Sequence, residues 1–75
     1  MNDAQNTSQN TSTYTVTGMT CAHCVASVTE EVSEISGVTD VAVDLGSGAL
    51  TVTSDQPLPD DSVRAAVEEA GYALG

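Results

Sequence analysis

Residues 38–52 read VTDVAVDLGSGALTV, and this stretch decides the fold. Apolar side chains alternate with polar or small ones on both sides of the Gly-Ser-Gly segment at 46–48. Alternation with a period of two is typical of strands that bury one face, and two glycines between such strands favour a tight turn. The stretch therefore predicts a β-hairpin in the middle of the chain. The apolar residues predicted to face inward are Val41, Val43, Leu45, Leu50 and Val52.

A helical pattern lies on each side of this hairpin. From Ala22 to Ile35, apolar residues recur at steps of three and four, which places them on one helical face, and Gly37 is predicted to form the left-handed C-cap. Residues 60–62, Asp-Asp-Ser, offer capping oxygens to a second helix that Gly71 ends. The predicted buried stripes are Val25, Val28, Val32 and Ile35 in the first helix, and Val63, Ala66, Val67 and Ala70 in the second. The acidic residues predicted to face water on the first helix are Glu30, Glu31 and Glu34.

Two further strands complete the pattern. Tyr14 and Val16 alternate with threonines over residues 13–17, and residues 72–74 have room for a short final strand. The order predicts an α+β, ferredoxin-like βαββαβ fold, in which a four-stranded antiparallel sheet carries two helices on one face. Residues 1–12 are almost wholly polar and repeat the tetrapeptide QNTS, so they are predicted to form a disordered tail before a single domain of residues 13–75.

The charge balance limits the classes of partner. Eleven Asp and Glu residues stand against one Arg and no Lys, which gives a formal net charge of -10. Such a surface repels phosphates and anionic lipid headgroups, so we expect no nucleic acid partner and no direct membrane insertion. The chain also lacks an apolar run of about 18 residues and the pattern of a signal peptide. We therefore expect a cytoplasmic protein, whose cysteines stay reduced unless they bind metal or act in redox chemistry.

Residues 18–24 read GMTCAHC and hold both cysteines and the only histidine of the chain. In the predicted fold they form the first βα loop, with Cys21 at the start of the helix and Cys24 in its first turn. Free N–H groups and the positive end of the helix dipole favour thiolates at this place. Because two thiolates three positions apart can converge on one ion, Cys21 and Cys24 are the predicted metal ligands.

The number of ligands favours Cu(I). A closed structural zinc site takes four protein ligands, and the chain has only two cysteines and one histidine to offer. Cu(I) is soft, prefers thiolates and needs fewer of them. Two sulfurs leave the ion open to attack by an incoming thiolate, so the motif favours a site that transfers its metal.

The sequence resembles the heavy-metal-associated domain family, which includes bacterial copper chaperones and the N-terminal domains of copper-transporting P-type ATPases. The resemblance covers residues 13–75 and rests on GMTCAHC, on SGV after the first helix, on the hairpin VAVDLGSGALTV and on AAVEEAGY at the end of the second helix. It implies that Cys21 and Cys24 bind Cu(I) and pass it by ligand exchange to an ATPase metal-binding domain or another copper acceptor. We expect the metal-free chain to be a monomer.

The resemblance also suggests roles for four neighbours of the two cysteines. Met19 is expected to pack inward beneath the loop, and His23 to point outward without binding metal. Tyr72 corresponds to a position that approaches the metal loop in bacterial relatives. Thr20 is neutral where relatives that handle zinc or cadmium often have an acidic residue, which favours a monovalent ion.

Three alternatives share the same motif. The chain could be an N-terminal regulatory domain of a P-type ATPase, or it could carry mercury, zinc or cadmium. The third alternative is a thiol-disulfide oxidoreductase, because CxxC at a helix start after a strand is also the arrangement of those enzymes. The sequence offers no counterpart of the proline that they place beside the active site, so we expect a protein that is not an enzyme.

Overall fold

The computed structural model describes residues 10–75, and its elements follow the predicted order. No helix in this part of the chain is long and apolar enough to cross a membrane. The four strands and two helices confirm the α+β, ferredoxin-like βαββαβ fold. The elements are β1 (Asn10–Thr17), α1 (Ala22–Ser33), β2 (Val38–Asp44), β3 (Ala49–Ser54), α2 (Asp60–Glu69) and β4 (Ala73–Leu74).

The sheet has the strand order β2-β3-β1-β4, and all neighbouring strands are antiparallel. Leu50 of β3 lies opposite Tyr14 of β1 on one side and opposite Val43 of β2 on the other. Val16 of β1 lies opposite Leu74 of β4. Because side chains opposite each other share a face of the sheet, these apolar residues form one continuous layer under the helices.

The core lies between this layer and the two helices, and it is built without Phe or Trp. Burying one Val or Leu side chain contributes roughly 1.5 to 3 kcal/mol, so a few aliphatic residues supply most of the stability. Val25 and Ile35, predicted to be in the stripe of α1, are only half buried. The buried apolar residues of the core are Val16, Val28, Val32, Leu50, Val52, Val63, Ala66 and Val67.

The hairpin forms where the sequence predicts it, but the prediction for Leu45 was wrong. The strands part after Asp44 pairs with Ala49, so Leu45 belongs to the loop and its side chain is 39% exposed. The Asp44 carboxylate stabilises the loop by accepting a hydrogen bond from the Ser47 hydroxyl at 2.8 Å. Gly48 has a positive φ of 78°, and a Cβ there would lie 2.7 Å from the Val16 carbonyl oxygen. This position therefore requires glycine.

The ends of α1 and α2 correct two predictions about capping. The helix α1 ends at the C-cap Glu34, and Gly37 lies beyond it in a turn closed by the Val38 N–H and the Ile35 carbonyl. At the start of α2 the N-cap is Pro59, with no capping bond from a side chain. Asp60 and Asp61 lie in the first turn of α2, where their negative charges interact favourably with the positive end of the helix dipole.

Gly71 ends α2 as predicted, in a turn closed by two backbone hydrogen bonds. It has a φ of 99°, its N–H donates to the Glu68 carbonyl, and the Tyr72 N–H donates to the Val67 carbonyl at 3.1 Å. These two bonds define a Schellman motif, which satisfies the last carbonyls of the helix. The turn directs the chain from α2 into β4, with Tyr72 between the two elements.

Two further predictions about order and exposure need correction. The first strand begins at Asn10, three residues before the predicted start at Thr13, because residues 10–12 pair with β3. Residues 1–9 lie outside the described part of the chain, so the disordered tail stays a prediction there. Glu31, predicted to face water, is half buried on α1.

Candidate metal centre

The loop between β1 and α1 places the two cysteines at different positions of one helical turn. Gly18 leaves the strand with a φ of 93°, and Cys21 is the N-cap of α1 with an extended backbone. The Cys21 carbonyl accepts hydrogen bonds from the N–H groups of Cys24 at 3.0 Å and Val25 at 3.4 Å. Cys24 is therefore the third residue of the helix, and its side chain points back toward the loop.

The two sulfur atoms lie 3.7 Å apart, and neither cysteine forms a disulfide. Cys21 is exposed, whereas Cys24 is only 8% exposed. The structure thus brings both predicted ligands together at the protein surface, with one sulfur open to solvent and the other covered.

The Cys24 sulfur receives hydrogen bonds from the residue before the N-cap. The Thr20 backbone N–H donates to it at 3.5 Å, and the Thr20 hydroxyl oxygen lies 3.8 Å away. The Thr20 N–H, the Tyr72 hydroxyl and the Cys21 backbone N–H together lower the pKa of Cys24 from 9.0 to about 6, against the opposing effect of burial. Cys24 is therefore a thiolate at neutral pH, which is the form that binds metal.

Tyr72 lies against the loop from the end of α2. A Cβ at Gly18 would come within 3.4 Å of Cδ1 of the Tyr72 ring, so the ring covers this part of the loop. Its hydroxyl interacts with Cys24, and this interaction is the main cause of the raised pKa of Tyr72. The structure confirms the predicted approach of Tyr72 to the metal loop.

The other neighbours have the predicted orientations. Met19 is half buried and packs against the core, whereas His23 is exposed on the first turn of α1. Within residues 10–75, no group of three or more His, Cys, Asp or Glu side chains comes together. In the described part of the chain, the two sulfurs therefore have no third ligand of these types.

The sequence analysis missed the contacts of Thr20 with Cys24, because it considered only the missing charge at that position. The spacing carries a signal only for the position of the Cys24 sulfur. A residue three positions after an N-cap is where a capping box places a side chain that accepts a backbone hydrogen bond near the helix start. Cys24 holds this position relative to Cys21, but its sulfur accepts the hydrogen bond from the N–H of Thr20, one residue before the N-cap, so the spacing indicates the place of the sulfur and not its donor.

Known proteins with related sequences and structures carry the same kind of domain. The heavy-metal-associated domain matches residues 13–73. The COP-associated protein of Helicobacter felis is 38% identical over 60 residues, which are 80% of this chain and 91% of that protein. Human copper-transporting ATPase 2 is 35% identical over 63 residues, 83% of this chain but 4% of that protein.

A solved structure supports the same assignment. The structure of a CopZ metallochaperone superposes with a TM-score of 0.82 at 30% identity, and the overlap covers 88% of this chain and 100% of that one. The family match includes the loop with the two cysteines. The chain therefore belongs to the heavy-metal-associated domain family.

Proposed function

We propose that the protein binds one Cu(I) ion between Cys21 and Cys24 and passes it to a second metal-binding domain by ligand exchange. The observation that carries this proposal is the pair of free sulfurs 3.7 Å apart, without a third ligand among the described residues. A soft monovalent ion is satisfied by two thiolates, whereas a closed zinc site takes four ligands. The name of one relative, the human copper-transporting ATPase 2, agrees with copper as the cargo.

Cys24 is the ligand that keeps the ion until the last step of the transfer. Its sulfur is covered, it accepts hydrogen bonds from Thr20, and its pKa of about 6 makes it ready to bind metal at neutral pH. Zinc–thiolate bonds are about 2.3 Å long, and with bonds of similar length two sulfurs on opposite sides of one ion lie about 4.6 Å apart. The free sulfurs reach this separation from 3.7 Å by a small rotation of the exposed Cys21 side chain.

Cys21 is the first of the two ligands to be replaced during exchange. A thiolate of the acceptor adds to the two-coordinate ion, which becomes three-coordinate, and the bond to Cys21 then breaks. The same addition and loss at Cys24 completes the transfer. Copper stays Cu(I) throughout, and each released thiolate keeps its electron pair or takes a proton from water.

The acceptor is a domain with a comparable dithiolate site, such as the metal-binding domain of a copper-transporting P-type ATPase. We place this exchange in the cytoplasm, where thiols stay reduced. The alternatives are that the chain is itself a regulatory domain of such an ATPase, or that it carries mercury, zinc or cadmium. The exchange has no substrate that is chemically transformed, so the proposal does not make the protein an enzyme.

A Cu(I) titration against a competing chelator, followed by native mass measurement, tests this function. We expect one ion per chain and a loss of at least 100-fold in affinity for Cys24→Ser, because a single thiolate cannot complete the site. His23→Gln is the matched control in the same loop, and its affinity should equal that of the wild type. Wild-type affinity in Cys24→Ser would refute the proposal.

The oxidoreductase alternative is tested separately, because a thiol with a pKa of about 6 beside a second thiol also suits disulfide exchange. We expect no catalytic turnover in the reduction of insulin disulfides by dithiothreitol. Turnover that is lost in Cys21→Ser would favour the enzyme instead.

A further inference from the structure

The strand β1 is paired over most of its length on one side only. Toward β3 it pairs from Asn10 to Thr15, whereas toward β4 it pairs only at its last two residues. One further backbone bond, from the Gly75 N–H to the Thr15 carbonyl at 2.7 Å, extends the pairing toward β4. In the part of the chain that the structure describes, no strand lies beside residues 10–14 on this side. These residues are the free edge of β1.

The free edge presents the backbone groups of Thr11 and Thr13. The Val16 N–H points toward β3, where it donates to the Gly48 carbonyl, and the Thr15 carbonyl points toward β4. Successive residues of a strand direct their N–H and C=O groups to opposite sides, so Thr11 and Thr13 point the same way as Thr15. The N–H and C=O groups of both residues therefore face outward, and both side chains are exposed.

The opposite edge of the sheet, β2, has protection that the free edge of β1 lacks. The strand β2 carries Asp40 and Asp44, and its register with β3 shifts between Val38 and Asp40. Charged residues and irregular register on an edge strand hinder pairing with another chain. Residues 10–17 contain no charged residue and no proline, although the chain has eleven acidic residues. The free edge of β1 is therefore the edge that suits an added strand.

A groove of about 340 Å³ lies beside the free edge. Its lining includes Tyr14 of β1, Leu74 of β4, and Asp60 and Arg64 of α2. The Tyr14 hydroxyl donates to the Asp60 carboxylate at 3.1 Å, which connects the edge to the first turn of α2. A residue added opposite Tyr14 shares its face of the sheet and directs its side chain toward this groove. An amide side chain suits a groove with a carboxylate and a guanidinium, because it has both a donor and an acceptor.

We propose that the free edge of β1 is a docking site for an extended segment of a basic partner protein, which adds a strand to the sheet and places an amide side chain in the groove. Backbone bonds to Thr11 and Thr13 supply affinity, and the groove supplies specificity. The partner is basic because the chain has a formal net charge of -10, and because Asp60 and Asp61 begin the helix beside the edge. A second copy of the chain carries the same negative charge and is repelled.

This docking site is separate from the metal loop. The strand β1 runs toward the loop, and at about 3.4 Å per residue Thr13 lies about 14 Å from Thr17, the last residue of the strand. A partner on the free edge therefore leaves Cys21 open to metal exchange. The inference goes beyond copper transfer and does not depend on it, and we expect Cu(I) affinity to be unchanged when the edge is occupied.

Hydrogen exchange of the full metal-free chain tests the free edge itself. We expect the N–H groups of Thr11 and Thr13 to exchange at least about 10-fold faster than those of Ser12 and Tyr14, which point toward β3. Equal protection of all four would overturn the proposal, because it would show that residues 1–9 or a second copy already occupy the edge. Repeating the measurement after dilution distinguishes these two occupants.

Nuclear magnetic resonance titration of the isotope-labelled full chain with the peptide KKTVTQTVKK tests docking. The Gln and both Val of this peptide share one face of a strand, and its Lys residues supply positive charge. The control peptide KKTPTQTPKK has the same charge, but its prolines remove backbone donors. We expect the first peptide to bind at least about 10-fold more tightly and to slow exchange at Thr11 and Thr13. Equal affinities, or resonance shifts confined to the acidic residues of the helices, would overturn the proposal.

Two alanine variants at adjacent carboxylates test the groove. Asp60→Ala changes the lining of the groove, whereas Asp61→Ala removes the same charge from the same turn of α2 outside that lining. We expect Asp60→Ala to weaken binding of the first peptide by about 5-fold or more, and Asp61→Ala by less than about 2-fold. Thermal unfolding confirms that both variants fold. Equal losses in the two variants would contradict the proposal, because they would show that charge alone attracts the peptide.

Discussion

Cys21 and Cys24 are three residues apart in one helical turn, yet their surroundings differ. Cys21 is exposed, and the one contact of its sulfur within hydrogen-bonding distance in the described structure is the sulfur of Cys24. Cys24 is buried, accepts a hydrogen bond from the Thr20 N–H and has a pKa lowered to about 6. The same side chain therefore has two different surroundings at positions three residues apart.

The difference follows from the place of each residue in the helix. Cys21, the N-cap, has an extended backbone and makes no side-chain capping hydrogen bond, so its side chain is left exposed. The side chain of the third helical residue returns toward the loop, where free N–H groups stabilise a negative charge. In this chain the CxxC motif at the helix start gives one covered thiolate and one exposed sulfur, a difference that we propose metal exchange uses.

The largest expected effect concerns the pH dependence of stability of the metal-free chain. The folded state lowers the pKa of Cys24 from 9.0 to about 6, so its stabilising effect is complete above pH 9 and is lost as the pH falls through about 6. Stability should rise over this range in the wild type and in Cys21→Ser. In Cys24→Ser this rise should disappear.

Urea denaturation between pH 5.5 and 9 measures this dependence. The comparison with Cys21→Ser controls for the loss of a sulfur and for other groups that titrate over the same range. If Cys24→Ser kept the full dependence and Cys21→Ser lost it, the assignment of the covered thiolate would be reversed.

A smaller effect is expected for Tyr72→Phe, which keeps the ring against Gly18 and removes the hydroxyl. The pKa of Cys24 should rise, because the Tyr72 hydroxyl is the second largest cause of its depression. Loss of a residue that orients a metal ligand typically weakens binding by at least about 10-fold, and we expect Cu(I) affinity to fall by about that much. Thiolate absorbance at 240 nm in a Cys21→Ser background measures the pKa. An unchanged titration midpoint would show that the Tyr72 hydroxyl does not affect the Cys24 thiol.

The smallest effect is expected for Thr20→Val. This change removes the hydroxyl 3.8 Å from the Cys24 sulfur but keeps the backbone N–H, which has the largest effect on the thiol. The pKa of Cys24 should rise less than in Tyr72→Phe, and the same absorbance titration detects it. A larger shift than that of Tyr72→Phe would show that the side chain, and not the backbone, stabilises the thiolate.

The sequence predicts the fold and the proximity of the two cysteines well, because both depend on local patterns. Alternation in residues 38–52 and the stripes of the two helices fix the elements, and GMTCAHC fixes the position of the sulfurs. The errors arise where the burial of a residue depends on tertiary contacts or on the place where a strand or helix ends. Leu45 continues the alternation in sequence, but the strands part before it.

The electrostatics of the site could not be read from residue types alone. Glu31 is half buried, although its place in the acidic stretch of α1 predicted exposure to water. Likewise, the lowered pKa of Cys24 comes mainly from a backbone N–H, which every residue other than proline has. Its effect depends on loop geometry, so only the structure identifies Thr20 as the donor.

The central claim is that Cys21 and Cys24 alone bind the transferred ion. X-ray absorption spectroscopy of the Cu(I)-loaded protein, without added thiol, tests it most directly. We predict two sulfur atoms and no nitrogen or oxygen in the first coordination shell, with an unchanged spectrum for His23→Gln. A third ligand to copper, or a nitrogen that disappears in His23→Gln, would contradict this account of the site.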